Sequence, residues 1–389
     1  MPTSVQEFHA LPALQQPVWE DTDQVRRVRE ALEAAPPLVT DDGAARLRRA
    51  LAEVAEGRAH LIQAGDCAED PAESTPYHVQ RKSALIDGLA ATATQLTGRP
   101  VLRIGRIAGQ FAKPRSKPVE QIGDITLPVY RGHMVNGPEP DPRARRADPQ
   151  RILACFGAAQ NVVRELDAVN AGRPDAERVW ISHEALLLDY ERPMLRRTAT
   201  GEQYLASAHL PWVGERTRRP DGAHVDLLAG IVNPVACKIG SGTTADDVTE
   251  LAGRLDPARQ PGRLVLIARM GAGFVTSRLP ALVRAVHAAG HPAVWICDPM
   301  HGNTITGPDG QKTRLMGAML AEIHDFCHVL DATGGTNGGL HLETTPDPVT
   351  ECATDMATIG SAGPRTTFCD PRLNPGQAHR LVAAWAQTR

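Results

Sequence analysis

The stretch most indicative of the fold begins with RLVLIARMG (263–271). It continues through the amphipathic segment Leu279–Gly290 and ends with AVWICDPMHG (293–302). Both outer runs are continuously apolar, which is typical of parallel strands covered on two faces. The segment between them has helical periodicity, so the stretch predicts a strand, a helix and a second, parallel strand. Polar residues follow each apolar run, at the edge where parallel sheets carry their chemistry.

The same alternation of apolar run and helical segment recurs along most of the chain. The six further candidate strands are HLIQAGD (60–66), VLRIGRI (101–107), VWISHEALLLDY (179–190), HLPWVG (209–214), IVNPVACKIG (231–240) and FCHVLDATGGTNGGLHLE (326–343). Eight such units predict an α/β fold of the (β/α)8 TIM-barrel type, with a doubly wound sheet as the alternative. Residues 1–56 predict an N-terminal helical extension, with helices near Thr22–Ala35 and Asp41–Glu56.

Composition and charge exclude several classes of protein. A formal net charge of -3 and a pI near 6.5 give no general attraction to nucleic acid or to an anionic membrane. No stretch approaches the roughly 18 apolar residues of a membrane span, and the start, MPTSVQEFHALPALQQPVWED, lacks the pattern of a signal peptide. Seven cysteines without a framework of spacings predict a reduced, cytoplasmic protein.

Cations are concentrated where several apolar runs end. The loop GRIAGQFAKPRSKP (105–118) contains basic side chains and no carboxylate. Arginine forks and backbone N–H groups bind phosphate well, although a basic loop of this kind is more often simply solvated. Charged residues also follow other runs: Glu215, Arg216, Arg218, Lys238 and Arg269. Several cations at one barrel mouth indicate a site for one or two phosphorylated ligands.

The chain resembles the class II, or plant-type, 3-deoxy-D-arabino-heptulosonate 7-phosphate (DAHP) synthases. The motifs that carry the resemblance occur in the family's order between Gln16 and Asn374: QAGDCAE, GRIAGQFAKPRS, LPVYRG, SHEALLLDYE, SAHLPWVGERTR, NPVACKIG, LIARMG, WICDPMHGNT, KTR, GGLHLE, VTEC and CDPRLN. The resemblance implies a (β/α)8 barrel with an N-terminal extension. It also implies an enzyme that condenses phosphoenolpyruvate with erythrose 4-phosphate at a divalent metal, the entry step of the shikimate pathway.

Carried over position by position, the resemblance implies the site residues. The implied metal ligands are Cys67, His301, Glu343 and Asp370. Such a mixed set suits manganese or cobalt, with iron or zinc also possible. The residues implied to hold phosphoenolpyruvate are Arg106, Lys238 and Arg269, with Glu215 nearby; those implied to hold the sugar phosphate are Lys113, Arg115, Ser116 and Arg216. Of these, the candidate catalytic residues are Lys238, Glu215 and Arg106.

The resemblance also implies how the chain is divided and regulated. The catalytic barrel is expected at 57–345, and the C-terminal segment, 346–389, is expected to pack on the barrel and complete its active site. A homo-oligomer, either a dimer or a tetramer, is expected, with neither a nucleic-acid nor a membrane partner. Between Arg164 and Val179 there is no room for the helical pair with which longer family members bind aromatic amino acids, so feedback inhibition is expected to be weak or absent.

Departures from the family pattern leave two alternatives open. NPVACKIGSG has Ala236 and Ser241 where Gly and Pro are common, and LPVYRGHMVNG has His133 where Asp is usual. These departures would suit an aminoDAHP synthase, which uses an amino- or imino-erythrose phosphate as the acceptor. The other alternative is a non-catalytic regulatory partner, although intact metal and phosphate residues argue against it.

Three further residues have open roles. His183 and Glu184 belong to the family motif SHEALLLDYE, and either a supporting role at the site or a packing role is compatible with their position. Cys369 directly precedes Asp370, so its sulfur is predicted to lie near that of Cys67, close enough for a redox-sensitive bridge.

Overall fold

The computed structural model describes residues 11–360 and 363–388. The helices in this part of the chain are α1 (Thr22–Ala34), α2 (Asp41–Ala55), α3 (Pro76–Thr97), α4 (Gln150–Asn170), α5 (Leu188–Glu191), α6 (Ala223–Ala229), α7 (Ala245–Leu255), α8 (Val275–Ala288), α9 (Met316–Thr333) and α10 (Pro375–Gln387). The strands are β1 (His60–Gly65), β2 (Val101–Arg106), β3 (Val119–Ile122), β4 (Ile125–Pro128), β5 (Val179–Ser182), β6 (Leu195–Arg197), β7 (Gln203–Leu205), β8 (Trp212–Val213), β9 (Val235–Gly240), β10 (Leu264–Arg269), β11 (Val294–Cys297), β12 (Thr304–Thr306), β13 (Lys312–Arg314) and β14 (Thr336–Glu343).

Eight parallel strands form the barrel. Their hydrogen-bonded order is β5, β2, β1, β14, β11, β10, β9 and β8, so each strand lies beside the next one along the chain. A parallel bridge between Glu184 and Trp212 joins the two ends of this order, and Trp212 N–H donates to the carbonyl of His183 over 3.0 Å. The three remaining strand pairs are antiparallel hairpins: β3 with β4, β6 with β7, and β12 with β13. The predicted (β/α)8 barrel is confirmed.

The N-terminal extension has two helices, of which α2 covers the bottom of the barrel and α1 packs against α4 and α5. Both of its helices begin at a capping side chain: Asp21 accepts a hydrogen bond from Gln24 N–H, and Thr40 accepts one from Gly43 N–H. Helix α2 buries Leu47, Leu51 and Val54 in one apolar cluster with the inward side chains of the barrel strands. Residues 1–10 of the predicted extension lie outside the described residues.

Two of the eight apolar runs predicted as strands contain a helix as well as a strand. In FCHVLDATGGTNGGLHLE, the first half belongs to α9. This helix ends at Thr333 and is capped by Gly334, whose φ is 69°, and β14 begins only at Thr336. In VWISHEALLLDY the strand ends at Ser182 and the chain turns into the short helix α5. A continuous apolar run does not distinguish a buried strand from a buried helix, which explains both differences.

The C-terminal segment closes the ring of helices. Helix α10 packs against α9 and α3, and its Trp385 is fully buried. Its cap is reciprocal, since the Asn374 side chain accepts from Gln377 N–H and the Gln377 side chain accepts from Asn374 N–H. The expected domain boundary at 345/346 stays a prediction. None of the helices described has both the length and the apolar character needed to cross a membrane.

Candidate active site

A glycine brings two charged side chains together at the mouth of the barrel. Strand β1 lies between β2 and β14, and its register pairs Gly65 with Arg106 on one side and with Glu343 on the other. Gly65 has φ of 148°, and a Cβ there would lie 2.5 Å from the carbonyl oxygen of Arg106. Because glycine permits this close approach, Arg106 Nη2 donates to Glu343 Oε1 over 3.0 Å.

The four implied metal ligands converge at this mouth. The ligand atoms of Cys67, Glu343 and Asp370 lie within 4.8 Å of one another, and Asp370 N–H donates to Cys67 Sγ over 3.1 Å. His301 Nε2 lies 3.0 Å from Glu343 Oε1. Cys67 and Glu343 are fully buried, whereas His301 and Asp370 are partly exposed. Three of the four implied ligands therefore form one cluster, and His301, whose ligand atoms group with those of Asp298 and His341, adjoins that cluster through Glu343.

The His301 ring is oriented by a carboxylate. Its Nδ1 lies 2.7 Å from Asp298 Oδ2 and its Nε2 lies 3.0 Å from Glu343 Oε1, so the ring is held between two carboxylates. His341 is close to both residues, but its ring nitrogens are already engaged, with Gln63 Oε1 at 2.6 Å and Arg106 Nη1 at 2.6 Å. Asp298, His301 and His341 therefore form an orienting network beside the four converging ligands.

Two neighbouring groups lower the pKa of the Cys67 thiol. Burial alone would raise the pKa of Cys67, but a hydrogen bond from Cys369 and the positive charge of Lys113 lower it. The same hydrogen bond and burial raise the pKa of Cys369 well above its usual range, so Cys369 remains the thiol donor. The two side chains are thus in hydrogen-bond contact, while a covalent bridge between them stays a prediction.

The two carboxylates of the group are ionised despite their burial. Burial would raise the pKa of Glu343, but His301, Lys113 and Arg314 hold it well below the usual range. Burial likewise opposes ionisation of Asp370, and Lys113 and Arg314 again lower its pKa. One thiolate, one imidazole nitrogen and two carboxylates form a donor set with three negative charges, which can hold a divalent transition metal.

Three of the implied substrate residues lie directly beside this group. Arg106 is buried and places its guanidinium 5.4 Å from the centre of the Trp212 ring. Lys238 Nζ lies 3.0 Å from Asp298 Oδ2, and burial lowers the pKa of Lys238 to about 8. Arg269 Nη2 donates to the carbonyl of His301 over 3.1 Å. Each of these three cations therefore contacts a specific partner, Arg106 and Arg269 from the last residue of their strands and Lys238 from within β9.

The residues implied to bind the sugar phosphate spread from the centre to the rim. Lys113 Nζ lies 3.4 Å from Glu343 Oε1 and 3.6 Å from Asp370 Oδ2, so it stands among the implied metal ligands. The others lie farther out: Arg115 donates to Cys369 Sγ over 3.4 Å, and the exposed Arg216 donates to Ser116 Oγ over 2.6 Å. Glu215, implied to lie near phosphoenolpyruvate, pairs with Arg218 over 3.0 Å.

His183 and His133 both have packing partners. His183 Nε2 lies 2.8 Å from Glu191 Oε1, and Glu191 also accepts from Ser207 Oγ over 2.6 Å, which gives His183 a place in a buried network. His133 Nδ1 lies 2.6 Å from Tyr130 Oη, and its ring meets Phe368 edge-on at 4.8 Å. His133, one of the departures from the family pattern, therefore packs among aromatic side chains.

Sequence reasoning missed several residues that support the site. They are Asp298, Lys312, Arg314, His341, Glu351 and Arg372. Arg314, which is fully buried, donates to Glu343 Oε2 over 2.8 Å, and Lys312 lies 2.8 Å from Asp370 Oδ1. All six lie inside or beside quoted motifs such as KTR, WICDPMHGNT and GGLHLE, so the motifs themselves were the available signal.

Comparison with known proteins gives the same family along the whole chain. The sequence model described as the class-II DAHP synthetase family matches residues 3–176 and 166–386. The chain is 51% identical over 377 residues to a "Probable phospho-2-dehydro-3-deoxyheptonate aldolase" of Pseudomonas fluorescens, a match that covers 96% of this chain and 94% of the relative.

Two other relatives carry the same description. The chain is 39% identical over 429 residues to the phospho-2-dehydro-3-deoxyheptonate aldolase AroG of Mycolicibacterium smegmatis, covering 96% of this chain and 92% of the relative. It is 39% identical over 432 residues to the phospho-2-dehydro-3-deoxyheptonate aldolase of Streptomyces coelicolor, covering 98% and 96%.

A solved structure shares the fold. The phospho-2-dehydro-3-deoxyheptonate aldolase of Francisella tularensis aligns with a TM-score of 0.56 over 92% of this chain and 95% of that one, at 14% identity. At so low an identity the likeness concerns the fold alone. The family match and the full-length relatives carry the assignment, and this chain belongs to the class-II DAHP synthetase family.

Proposed function

We propose that this protein condenses phosphoenolpyruvate with D-erythrose 4-phosphate and water to give DAHP and inorganic phosphate, the first step of the shikimate pathway. The observation that carries the proposal is the convergence of Cys67, His301, Glu343 and Asp370 beside buried cations at one barrel mouth. Family membership and the names of the full-length relatives support the same reaction.

We assign the metal to those four side chains. A thiolate combined with imidazole and carboxylates favours manganese or cobalt, with iron or zinc as further candidates. When bound, the ion would supply Lewis acidity toward the aldehyde oxygen of the sugar. Asp298 supports the assignment, because its contact with Nδ1 would orient Nε2, which faces Glu343, toward an ion bound between the two residues.

The cations of the mouth hold and separate two polyanionic substrates. Arg106, Lys238 and Arg269 are assigned to the phosphate and carboxylate of phosphoenolpyruvate, and the residues assigned to the sugar phosphate are Lys113, Arg115, Ser116 and Arg216. Without such cations the two substrates would repel each other, so their contribution is one of positioning and electrostatics. The partners that already hold Arg106 and Lys238 keep these cations in place before substrate arrives.

The chain can also move protons during the reaction. C3 of phosphoenolpyruvate forms a bond to the aldehyde carbon, water adds at C2, and the resulting hemiketal phosphate releases inorganic phosphate. With a pKa near 8, Lys238 can give or take a proton at neutral pH. We assign the handling of the water proton to Lys238 or Glu215, whose side chains face the same mouth.

The decisive experiment measures phosphate release from phosphoenolpyruvate with each acceptor. We expect release with erythrose 4-phosphate, its loss on chelation, and its recovery when Mn²⁺ or Co²⁺ is returned. Release only with an amino-erythrose phosphate would instead indicate an aminoDAHP synthase. The contacts of His133 with Tyr130 and Phe368 do not favour that alternative. No release with either acceptor would leave the regulatory partner as the explanation.

We further propose that this enzyme lacks strong feedback inhibition. Helix α4 ends at Asn170 and β5 begins at Val179, and the Asn170 side chain closes the connection by accepting from Val179 N–H over 2.9 Å. The family model matches in two segments, 3–176 and 166–386, which meet at this connection. The alignments with two relatives span 429 and 432 positions, more than the 389 residues of this chain, so those relatives contain residues that this chain lacks. Millimolar Phe, Tyr and Trp should therefore leave the rate nearly unchanged.

The remaining parts of the proposal concern location and assembly. We place the enzyme in the cytoplasm, because none of its seven cysteines is paired in a disulfide. A homo-oligomer, dimer or tetramer, is expected from the family resemblance, and light scattering on the purified protein tests it.

A further inference from the structure

We infer that the outer face of α9 carries a second, separate binding site for a divalent transition-metal ion, formed by His324 and His328. The two residues are one helical turn apart, and both are exposed. They lie on the opposite face of α9 from the residues that pack into the barrel. The site therefore does not depend on the metal proposed for the catalytic mouth.

The distance between the two rings fits chelation of one ion. His324 Nε2 and His328 Nε2 share a hydrogen bond over 3.1 Å, and the ring centres are 4.3 Å apart in an edge-to-face arrangement, so a bound ion would take the place of the shared proton. A metal bound at the usual 2.0–2.1 Å from each nitrogen would then subtend an angle of about 100°. That value lies between the 90° of square or octahedral coordination and the tetrahedral angle, so both nitrogens can bind the same ion.

The helix holds this geometry in place. The opposite face of α9 is anchored in the core by Ile323, Phe326 and Leu330, all nearly fully buried. Since residues four apart on a helix share a face, the two imidazoles are presented side by side without any rearrangement of the backbone. Little ordering is required on binding, which favours a chelate over two independent histidines.

The neighbouring charge favours a cation and the correct tautomer. Asp325 Oδ1 lies 3.7 Å from His324 Nδ1, so its negative charge favours a proton on Nδ1, which leaves the Nε2 lone pair of His324 to face His328 or a bound ion. Two imidazole nitrogens with water completing the shell suit Cu²⁺ best, followed by Ni²⁺ and Zn²⁺, and suit Mn²⁺ poorly. The ligand class is thus a late first-row divalent ion.

The test counts Cu²⁺ bound by the full chain after its catalytic metal has been loaded. We expect one more Cu²⁺ per chain in the wild type than in His324→Ala, with an electron paramagnetic resonance spectrum that shows two coordinated nitrogens. His287→Ala, which removes an exposed histidine from α8, is the matched control and should bind as the wild type does. Turnover should be unchanged in all variants, because the site lies on the outer surface.

The pattern across variants decides between a chelate and two separate ligands. Each single change, His324→Ala or His328→Ala, should weaken Cu²⁺ binding tenfold or more, and the double variant should be no weaker than either single one. Binding that survives in both single variants would overturn the site. If the losses of Cu²⁺ binding free energy in the two single variants add up in the double variant, the two histidines bind separately and the chelate is wrong.

Discussion

The two ends of the barrel are built from the same strands but from different chemistry. In β2 the inward side chains are Leu102, Ile104 and then Arg106, and in β10 they change in the same way to Arg269 at the mouth. At the N-terminal end the inward residues form an apolar cluster that α2 covers. At the other end, buried cations and carboxylates face one another.

Residues that stabilise the fold and residues that carry the proposed function therefore lie at opposite ends of the barrel. Apolar layers at the bottom are stabilising by burial alone. A buried charge is costly unless it is paired, and the mouth meets this condition, since Arg106, Lys113 and Arg314 all contact Glu343. We therefore expect changes at the bottom to affect unfolding and changes at the mouth to affect turnover.

The largest expected effect is at the mouth, in His301→Asn. The shorter amide can still donate to Asp298 but cannot replace Nε2, so the proposed metal should be lost with little disturbance of the network. We expect turnover to fall by about 10³-fold or more, which corresponds to the several kcal/mol that a Lewis acid supplies. Metal content by mass spectrometry and phosphate release measure the two effects.

The same variant should leave the metal-free fold intact. The free energy of unfolding of metal-free His301→Asn should differ from that of metal-free wild type by less than about 1 kcal/mol. Full activity in the metal-free variant would contradict the ligand assignment. A loss of stability as large as that of a core deletion would contradict the division between the two ends.

At the opposite end, Leu51→Ala should act in the reverse manner. Leu51 is fully buried between α2 and the barrel strands, and removing its side chain should cost about 2–5 kcal/mol of unfolding free energy. The ratio kcat/KM should stay within about twofold at temperatures where the variant is folded. Arg49→Ala, an exposed change on the same helix, is the control and should cost less than about 0.5 kcal/mol.

Glu322 tests whether a buried charge needs an ionic partner, because the groups that donate to it are an amide N–H and an asparagine side chain, not cations. It accepts from Gly271 N–H over 2.9 Å and from Asn303 Nδ2 over 2.6 Å, and burial raises its pKa to about 8. Since the folded pKa exceeds the unfolded one, the contribution of Glu322 to the free energy of unfolding is fully present below the ordinary carboxyl pKa. This stability is lost progressively as pH rises through about 8.

Glu322→Gln should remove that pH dependence. The amide keeps the shape and cannot ionise, so we expect the variant to gain on the order of 2 kcal/mol relative to wild type between pH 6 and pH 9. Urea unfolding at the two pH values measures the difference. If the free energy of unfolding changes with pH equally in variant and wild type, the ionisation of Glu322 does not control the pH dependence, and a group outside these contacts balances its charge.

The difference between the ends also explains what the sequence could reveal. Arg106 and Arg269 were predictable because a continuous apolar run stops at a charge. The position of Lys113 among the implied ligands was not, since it depends on how a loop folds back over the barrel. The first half of 326–343 was misassigned as strand, because its apolar pattern fits a buried helix equally well.

Contacts between residues far apart in the chain could not be predicted from the sequence for a different reason. Arg372 Nη1 donates to Asp66 Oδ1 over 2.7 Å although the two residues are 306 positions apart, and its Nη2 donates to Glu351 Oε1 over 3.0 Å. Nothing in the spacing of these residues indicates such a contact. It appears only when the barrel closes and brings the loop after β1 beside the C-terminal segment.

Arg372 gives the smallest and most specific prediction. It joins Asp66, which precedes the proposed ligand Cys67, to the segment that carries the proposed ligand Asp370. Arg372→Lys keeps the positive charge but loses the planar fork that reaches both carboxylates. The two ligands should then be held less firmly, and metal affinity should fall about tenfold, the lower end of the range for residues that support metal ligands.

This effect is separable from a loss of catalysis. Competition with a chelator should give the weaker dissociation constant, whereas kcat at saturating metal should remain close to that of the wild type, because Arg372 orients ligands and does not contact the reacting atoms. Arg365→Lys is the matched control, since Arg365 donates only to the backbone oxygens of Glu351 and Lys312 in the described chain. Equal metal affinity in the two variants would mean that the fork of Arg372 does not position the ligands, and that the charged mouth is held by its own ion pairs alone.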